Sequence, residues 1–328
     1  MANMNDVSRV AGVSRGTVSN YINGRSVRPN TKLKIENAIK TLNYVPNATA
    51  RALKTNRSNY VVWIIPTVNS PFFSELSYHM QIALDALGYK MILCNSNSQA
   101  SKEMAYIEMA KTQKVAGIIT MSYADISHLV SPDIPLVAIE NRVTQNFPLI
   151  ISDNYQGGFI AAEQLYQRGA RRLLFISKTP VVGVSALREK GFKDFCQQNH
   201  IHYHRFIASD SVQFIDDFEQ FINSNITYKS FNYDGIFSDS DEYASDFWHL
   251  LLQHHIAVPA DVQIIGFDAA KIYARQQPML SSIRQPIEKI VHIAVQQLQY
   301  QLSKPNTKSS LVKPIILPVT FIEGMTTK

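Results

Sequence analysis

Apolar positions in the first 45 residues recur at helical spacing, broken by capping and turn residues. Asn5 and Asp6 read as an N-cap and a first-turn acid, followed by Val7, Val10 and Ala11. Gly12 interrupts that set, and Ser14 is placed to cap a second helix with Val18 and Ile22 on one face. The link Gly12-Val13-Ser14 is the short, glycine-containing connection of a helix-turn-helix. After a polar loop from Asn23 to Pro29, Asn30 or Thr31 is expected to cap a third helix. Its stripe of Ile35, Ala38, Ile39 and Leu42 follows i, i+3, i+4, i+7. Three short helices around one small core are predicted.

From Tyr60 the period changes. Short apolar runs read as strands at Tyr60–Ile65, Met91–Cys94, Gly117–Met121, Leu136–Ile139, Leu173–Ser177, Gly235–Ser238 and Val262–Phe267. Amphipathic helices are predicted between them, among them Phe72–Leu87, Tyr155–Arg168 and Tyr243–His254. Strand–helix alternation predicts a parallel sheet covered on both faces, and the length left after the head is enough for two such lobes.

Charge sharpens this division. The chain has 328 residues, 45% hydrophobic and 18% charged, which fits a globular protein of two or three domains. Its net charge of +6 is unevenly placed. Residues 1–60 hold ten Lys/Arg against Asp6 and Glu36, a net +8; the other 22 basic and 24 acidic residues give −2. A basic head on a near-neutral body points to a polyanion-binding module joined to something with another task. The best apolar run, Val61 to Ile65, ends at Pro66, far short of a membrane span, and the N-terminus shows no signal-peptide core. Cys94 and Cys196 stand apart without metal spacing, so a cytoplasmic location is expected, with no cofactor and no metal.

The head then shows blocks that carry a resemblance. Asp6-Val7, Ala11-Gly12-Val13-Ser14, Thr17-Val18-Ser19 and Asn23, with Leu42-Asn43-Tyr44-Val45-Pro46-Asn47 and Ala50-Arg51-Ala52-Leu53, resemble the lac repressor (LacI/GalR) family. The likeness runs through the body to within a few residues of the C-terminus. It implies a helix-turn-helix headpiece at 1–46, a hinge helix and linker at 47–59, and an effector-binding and dimerisation core at 60–328. The core would be periplasmic-binding-protein-like, two Rossmann-like lobes joined by three crossovers. Lobe one is placed near 60–152 and 284–315, lobe two near 153–283 and 316–328.

The resemblance also implies roles. Arg15, Gly16 and Asn20 would face base edges in the major groove, where Arg suits guanine and Asn suits adenine. Ser14, Thr17, Ser19 and Asn23 are short groups fitted to phosphate contacts. The family often has Arg at Asn20 and a larger side chain at Gly16, so the operator preference differs from the commonest pattern. The segment Asn47 to Lys54 is too short for a stable lone helix and would fold on the operator, with Leu53 as a minor-groove wedge. A plain linker is the duller reading.

In such α/β bodies ligands bind at the carboxyl ends of strands. Asn69 and Phe73, after the first strand, match family positions that touch effectors. Glu140 stands where the family usually has Asp, Arg188 matches the effector-binding arginine, and Asp268 its carboxylate partner. Ser240 and Asp241 follow another strand of lobe two. Arg forks and carboxylates bind vicinal hydroxyls, and an aromatic covers the apolar face of a ring, which suits a sugar or sugar phosphate. Each also has a structural reading: Phe72 and Phe73 as core, Glu140 as a surface charge, Arg188 with Asp268 as an ion pair, Asp153-Asn154 as a helix cap. His200, His202 and His204 alternate as in a strand, and with His254-His255 read as exposed histidines rather than a metal site. Gly157-Gly158 forms no phosphate loop, and no catalytic motif supports an enzyme.

A DNA-binding regulator is therefore expected, a repressor of carbohydrate-utilisation genes controlled by a small effector. It would act as a homodimer on a pseudo-palindromic double-stranded operator, since the chain ends at Lys328 without the heptad tail of the family's tetramers. The alternatives are a global carbon-catabolite regulator with a phosphorylated protein corepressor, a regulator with a purine effector, a sugar-binding receptor or an enzyme. Gly324 stands near an arginine the family often carries, which leaves that side chain's contact unfilled.

Overall fold

In this computed structural model the described residues are 2–45, 58–121, 134–140, 147–211, 213–228, 230–271, 273, 277–303 and 313–328. The chain divides into two compact units, Met1–Ser58 and Asn59–Lys328.

The first unit holds α1 (Met4–Ala11), α2 (Arg15–Ile22) and α3 (Pro29–Thr41). Helix α1 starts earlier than the pattern suggests. Its cap is Asn3, whose side chain accepts from the Asn5 and Asp6 amides while the Asp6 carboxylate accepts from the Asn3 amide, a capping box. Gly12 ends it at φ 63°, a left-handed conformation that favours glycine. Ser14 caps α2, its Oγ accepting from the Thr17 amide at 3.1 Å. Helix α3 has no side-chain cap at Asn30 or Thr31; Pro29 opens it, where a missing N–H costs nothing. The core is Val7, Ala11, Val18, Ile35, Ala38 and Tyr44. Val10 is half exposed, and Tyr44 fills the core from beyond α3 instead.

The second unit contains two six-stranded sheets. Sheet one has the order β13-β5-β4-β3-β1-β2, all parallel, from β1 (Tyr60–Ile65), β2 (Lys90–Asn95), β3 (Gly117–Thr120), β4 (Leu136–Ile139), β5 (Leu149–Ser152) and β13 (Ile315–Leu317). Val61, Trp63 and Ile65 face α4 (Pro71–Asp85) and α10 (Ile287–Ser303), while Val62 and Ile64 face α5 (Ala100–Thr112). Burial on both faces is why the run is continuously apolar.

Sheet two has the order β14-β12-β11-β10-β6-β7, from β6 (Leu173–Lys178), β7 (Tyr203–Ala208), β10 (Gly235–Ser238), β11 (Gln263–Asp268), β12 (Ser281–Arg284) and β14 (Thr320–Ile322). Only β14 among them runs antiparallel. One face packs on α6 (Asn154–Gln167) and α7 (Val184–Gln198), the other on α8 (Phe214–Ser224) and α9 (Asp241–Gln253). A two-stranded ribbon, β8 (Ile226–Thr227) with β9 (Ser230–Phe231), follows α8. The chain crosses between lobes after Ser152, Arg284 and Leu317, since each ends a strand of one sheet before an element of the other lobe. Of the three alternating histidines, all exposed, only His204 lies in a strand, since His200 turns at φ 53° and β7 begins at Tyr203.

Glycine decides one contact. A methyl at Gly158 would lie 1.8 Å from the Arg188 carbonyl oxygen, and one at Gly191 would lie 1.9 Å from that of Tyr155. Helices α6 and α7 therefore meet backbone to backbone, which fixes Arg188 against the start of α6.

Candidate functional site

On the headpiece, α2 displays the groups expected to read DNA. Arg15, Gly16, Asn20 and Asn23 are exposed, Gly16 and Asn20 one turn apart, while Val18 on the opposite face is fully buried. Ser14, Thr17, Ser19 and Asn23 are tied to one another locally: Ser14 Oγ lies 2.8 Å from Thr17 Oγ1, and Asn23 Nδ2 donates to the Ser19 carbonyl at 2.7 Å. The Tyr21 hydroxyl donates to Glu36 at 2.9 Å, pinning α2 to α3. The result is a stiff helix with a polar, uncovered face. Asn47 and Leu53 lie outside the described residues.

In the body, the seven other predicted residues, Asn69, Phe73, Glu140, Arg188, Ser240, Asp241 and Asp268, all line one cleft between the lobes, with a volume of about 1660 Å³. Their states differ. Asn69 is exposed on the loop before α4. Phe73 is both core and lining, its ring edge-on to Phe72 at 5.3 Å. Arg188 is buried over the Phe267 ring at 3.6 Å. Its Nε donates to Asn154 Oδ1 at 2.7 Å, and Nη1 donates to the Asp239 carbonyl at 2.6 Å and lies 3.9 Å from Asp268 Oδ1.

Three of the acids are largely engaged by the protein. Glu140 accepts from the Ser152 amide and from Asn154 Nδ2 at 2.8 Å. Asp241 accepts from Ser282 Oγ at 2.5 Å and the Ala269 amide at 2.7 Å, and Ser240 caps α9 through the Tyr243 amide. Asp268 Oδ1 accepts from Gln285 Nε2 at 2.7 Å. Burial pushes the carboxyls of Glu140, Asp239 and Asp241 above their usual range, and the Asp268 charge raises Asp241 further. Asp268 is pushed up to about 6, mainly by burial and against the pull of Arg188. Glu140 at φ 50° and Asp268 at φ 116° end β4 and β11 in a conformation non-glycine residues rarely adopt, as residues held for a function often are.

Four residues of the site were not picked out as functional from the sequence. Asn154, read there as part of a cap, does start α6, but Asp153 is the cap and Asn154 joins Glu140 to Arg188. Gln285 sits on the second crossing and binds both Asp268 and Ser152 Oγ, the latter at 2.6 Å. Arg284 of lobe two forks onto Glu75 of lobe one at 2.6 and 2.8 Å, and this pairing holds Glu75 below the usual carboxylate range against its burial. The fourth, Asp239, directly precedes the Ser240-Asp241 pair; three acids within four residues after a buried strand were the available signal. Gly324 needs no arginine to explain it: a methyl there would lie 2.5 Å from the Leu280 carbonyl carbon, and its amide donates to Ser281 Oγ.

A helical headpiece with an exposed reading helix, carried with a two-lobed body around a polar cleft, defines a ligand-controlled DNA-binding regulator. Residues 3–47 match the model for bacterial regulatory proteins of the lacI family, and residues 162–327 that for a periplasmic binding protein-like domain. The chain is 32% identical over 327 residues to the sucrose operon repressor of Streptococcus mutans, covering 99% of each. A periplasmic binding protein/LacI transcriptional regulator from Alkaliphilus metalliredigens, solved with D-xylulofuranose, is similar at 33% identity and a TM-score of 0.70, over 83% of this chain and all of that one. The lac repressor dimer, solved on its operator with an anti-inducer, shares the fold at TM-score 0.84 and 21% identity, over 99% of each chain. The chain belongs to the lacI family of bacterial regulatory proteins, and is a DNA-binding transcriptional regulator rather than an enzyme. No helix among the described residues is long and apolar enough to cross a membrane.

Proposed function

We propose that the chain represses carbohydrate-utilisation genes and that a sugar held between the lobes controls its grip on the operator. The observation that carries this is the Arg188 network. One buried guanidinium connects α7, α6 and the ends of β10 and β11, all at the mouth of one cleft. The relatives support a sugar: one is a sucrose operon repressor and another was solved with a ketose in furanose form. Arg188, Asp268 and Asn69 supply hydroxyl partners, and Phe73 a ring face.

The mechanism follows from where these groups sit. Glu140, Ser152 and Asn154 surround the first crossing, and Gln285 on the second binds Ser152 and Asp268 together. A ligand that repositions Arg188 or Asp268 acts directly on the crossings and shifts the balance between two lobe angles. Operator affinity changes by the ligand's differential affinity for those two states. Tyr78 and Ile82, one turn apart on α4, and Leu93 on the edge strand β2 are exposed apolar groups suited to pairing with a second copy. Two headpieces then read a pseudo-palindrome, with Arg15, Gly16 and Asn20 at base edges, Ser14, Thr17, Ser19, Asn23 and Asn47 at the backbone, and Leu53 wedged in the minor groove.

Selecting binding sites from random DNA with the full chain, then measuring affinity with and without sucrose, fructose and ribose, tests this reading. A two-fold symmetric site and a sugar-dependent change in affinity are expected. An Arg188→Ala protein that kept the full sugar response would refute the cleft assignment.

A further inference from the structure

The residue of this cleft with the least explained chemistry is Asp239. It is only 4% exposed, yet it lines the cavity. Oδ2 accepts from Ser177 Oγ at 2.7 Å, but Oδ1 is buried with no hydrogen-bond partner among the described residues. A buried acceptor left alone is costly, and a ligand hydroxyl is the kind of donor that would relieve it. Arg188 does not do so: its Nη1 binds the main-chain oxygen of Asp239 instead.

Charge then limits what such a ligand can be. Two buried acids, Glu140 and Asp239, and two half-buried ones, Asp241 and Asp268, share the guanidinium of Arg188 among the described residues. Two of the other three cations described at the cleft are paired: Arg284 is forked onto Glu75 and Lys178 lies 3.6 Å from Asp210 at the rim, while Lys271 is exposed. The N-terminus of α9, otherwise an anion site, already carries Asp241 and Glu242. That of α7 already lies beside the Asp239 carboxylate, with the Ser185 hydroxyl nearby. That of α4 begins with Pro71, whose missing N–H removes one of the donors such a site would use.

We propose that the cleft takes a neutral polyhydroxylated ligand and disfavours the same ligand once phosphorylated, with Asp239 setting the discrimination. The proposal rests on the sugar reading above and narrows it. A phosphate adds up to two negative charges where acidic side chains already outnumber basic ones among the described lining residues, whereas a hydroxyl can donate to Asp239 Oδ1 or accept from Arg188. Discrimination of this kind works by repelling the wrong ligand as much as by attracting the right one.

The test is calorimetric titration of the full chain with three matched pairs: ribose and ribose 5-phosphate, fructose and fructose 6-phosphate, sucrose and sucrose 6-phosphate. At least one neutral sugar is expected to bind roughly ten-fold or more tightly than its ester. Asp239→Asn keeps an acceptor for Ser177 and removes the charge, so it should bring the two affinities closer together; Asp239→Glu should preserve the gap. Thermal unfolding without ligand shows whether each variant is folded. An ester that binds as well as its parent sugar, or an unchanged ratio in folded Asp239→Asn, overturns the proposal and leaves the sugar reading standing. Should no member of any pair bind, the sugar reading falls and the proposal falls with it.

Discussion

The headpiece and the cleft solve recognition in opposite ways. In the headpiece every described polar side chain lies outside a core of six residues, and the candidate reading groups stand uncovered on α2. In the cleft the polar groups are the buried ones, and they hold each other: Glu140, Asn154, Arg188, Asp239, Asp268 and Gln285 form a chain of contacts. DNA brings its own charge and a fixed shape, so a stiff scaffold with exposed donors suffices. A small ligand offers few contacts, and a cleft for it needs acceptors and donors already desolvated and aimed. Changes in the cleft should therefore move stability and ligand response together, and changes on α2 should move DNA binding alone.

The sharpest way to break that contrast is Arg188→Ala. It strips the counter-charge from buried acids, so denaturant unfolding of the body should show a loss of about 3–5 kcal/mol, with ligand response abolished. A loss near zero would mean the acids do not depend on it. Next comes Gly158→Ala, which forces a methyl into the Arg188 carbonyl; overpacking should cost roughly 1–3 kcal/mol, and ligand affinity should fall with it because Arg188 is displaced. Arg15→Ala is the counterpart on the headpiece: about 1–3 kcal/mol of operator affinity lost in a binding assay, without change in unfolding of the body.

A pH titration separates the two regions again. Asp268, with its folded pKa raised to about 6, holds a proton in the folded chain that the unfolded chain gives up near pH 4. Stability of the ligand-free body should thus fall as pH rises from 4 to 6, by roughly 1–3 kcal/mol, readable as a lower Tm at pH 7 than at pH 5. The headpiece has no buried carboxylate among its described residues and should not share that trend. Smallest is Ser14→Ala, which removes the α2 cap and should cost the headpiece about 1 kcal/mol.

How much was legible in the sequence follows the same divide. Periodicity located α1 to α3, and the strands Tyr60–Ile65, Leu136–Ile139 and Gly235–Ser238 fell on their apolar runs, because core packing writes itself into spacing. Strand β12 escaped because two of its three buried residues are serines, Ser281 and Ser282, bonded to Thr327 and Asp241, which leaves Ile283 alone without an apolar run. Strand β7 escaped because it is an edge strand with exposed His204 and Arg205. The seven cleft residues could be named from the family resemblance, yet not which of their atoms were already taken. Asn154, Asp239, Gln285 and the Glu75–Arg284 pair depend on contacts across 14 to 209 positions of chain, which no local pattern encodes.

The two glycines between α6 and α7 have a mechanical consequence. With backbone against backbone, the two helices form one plate, whose near edge is the first crossing and whose seam holds Arg188. A push on that guanidinium would then reach the crossing through the pair as one body, a lever rather than a cushion.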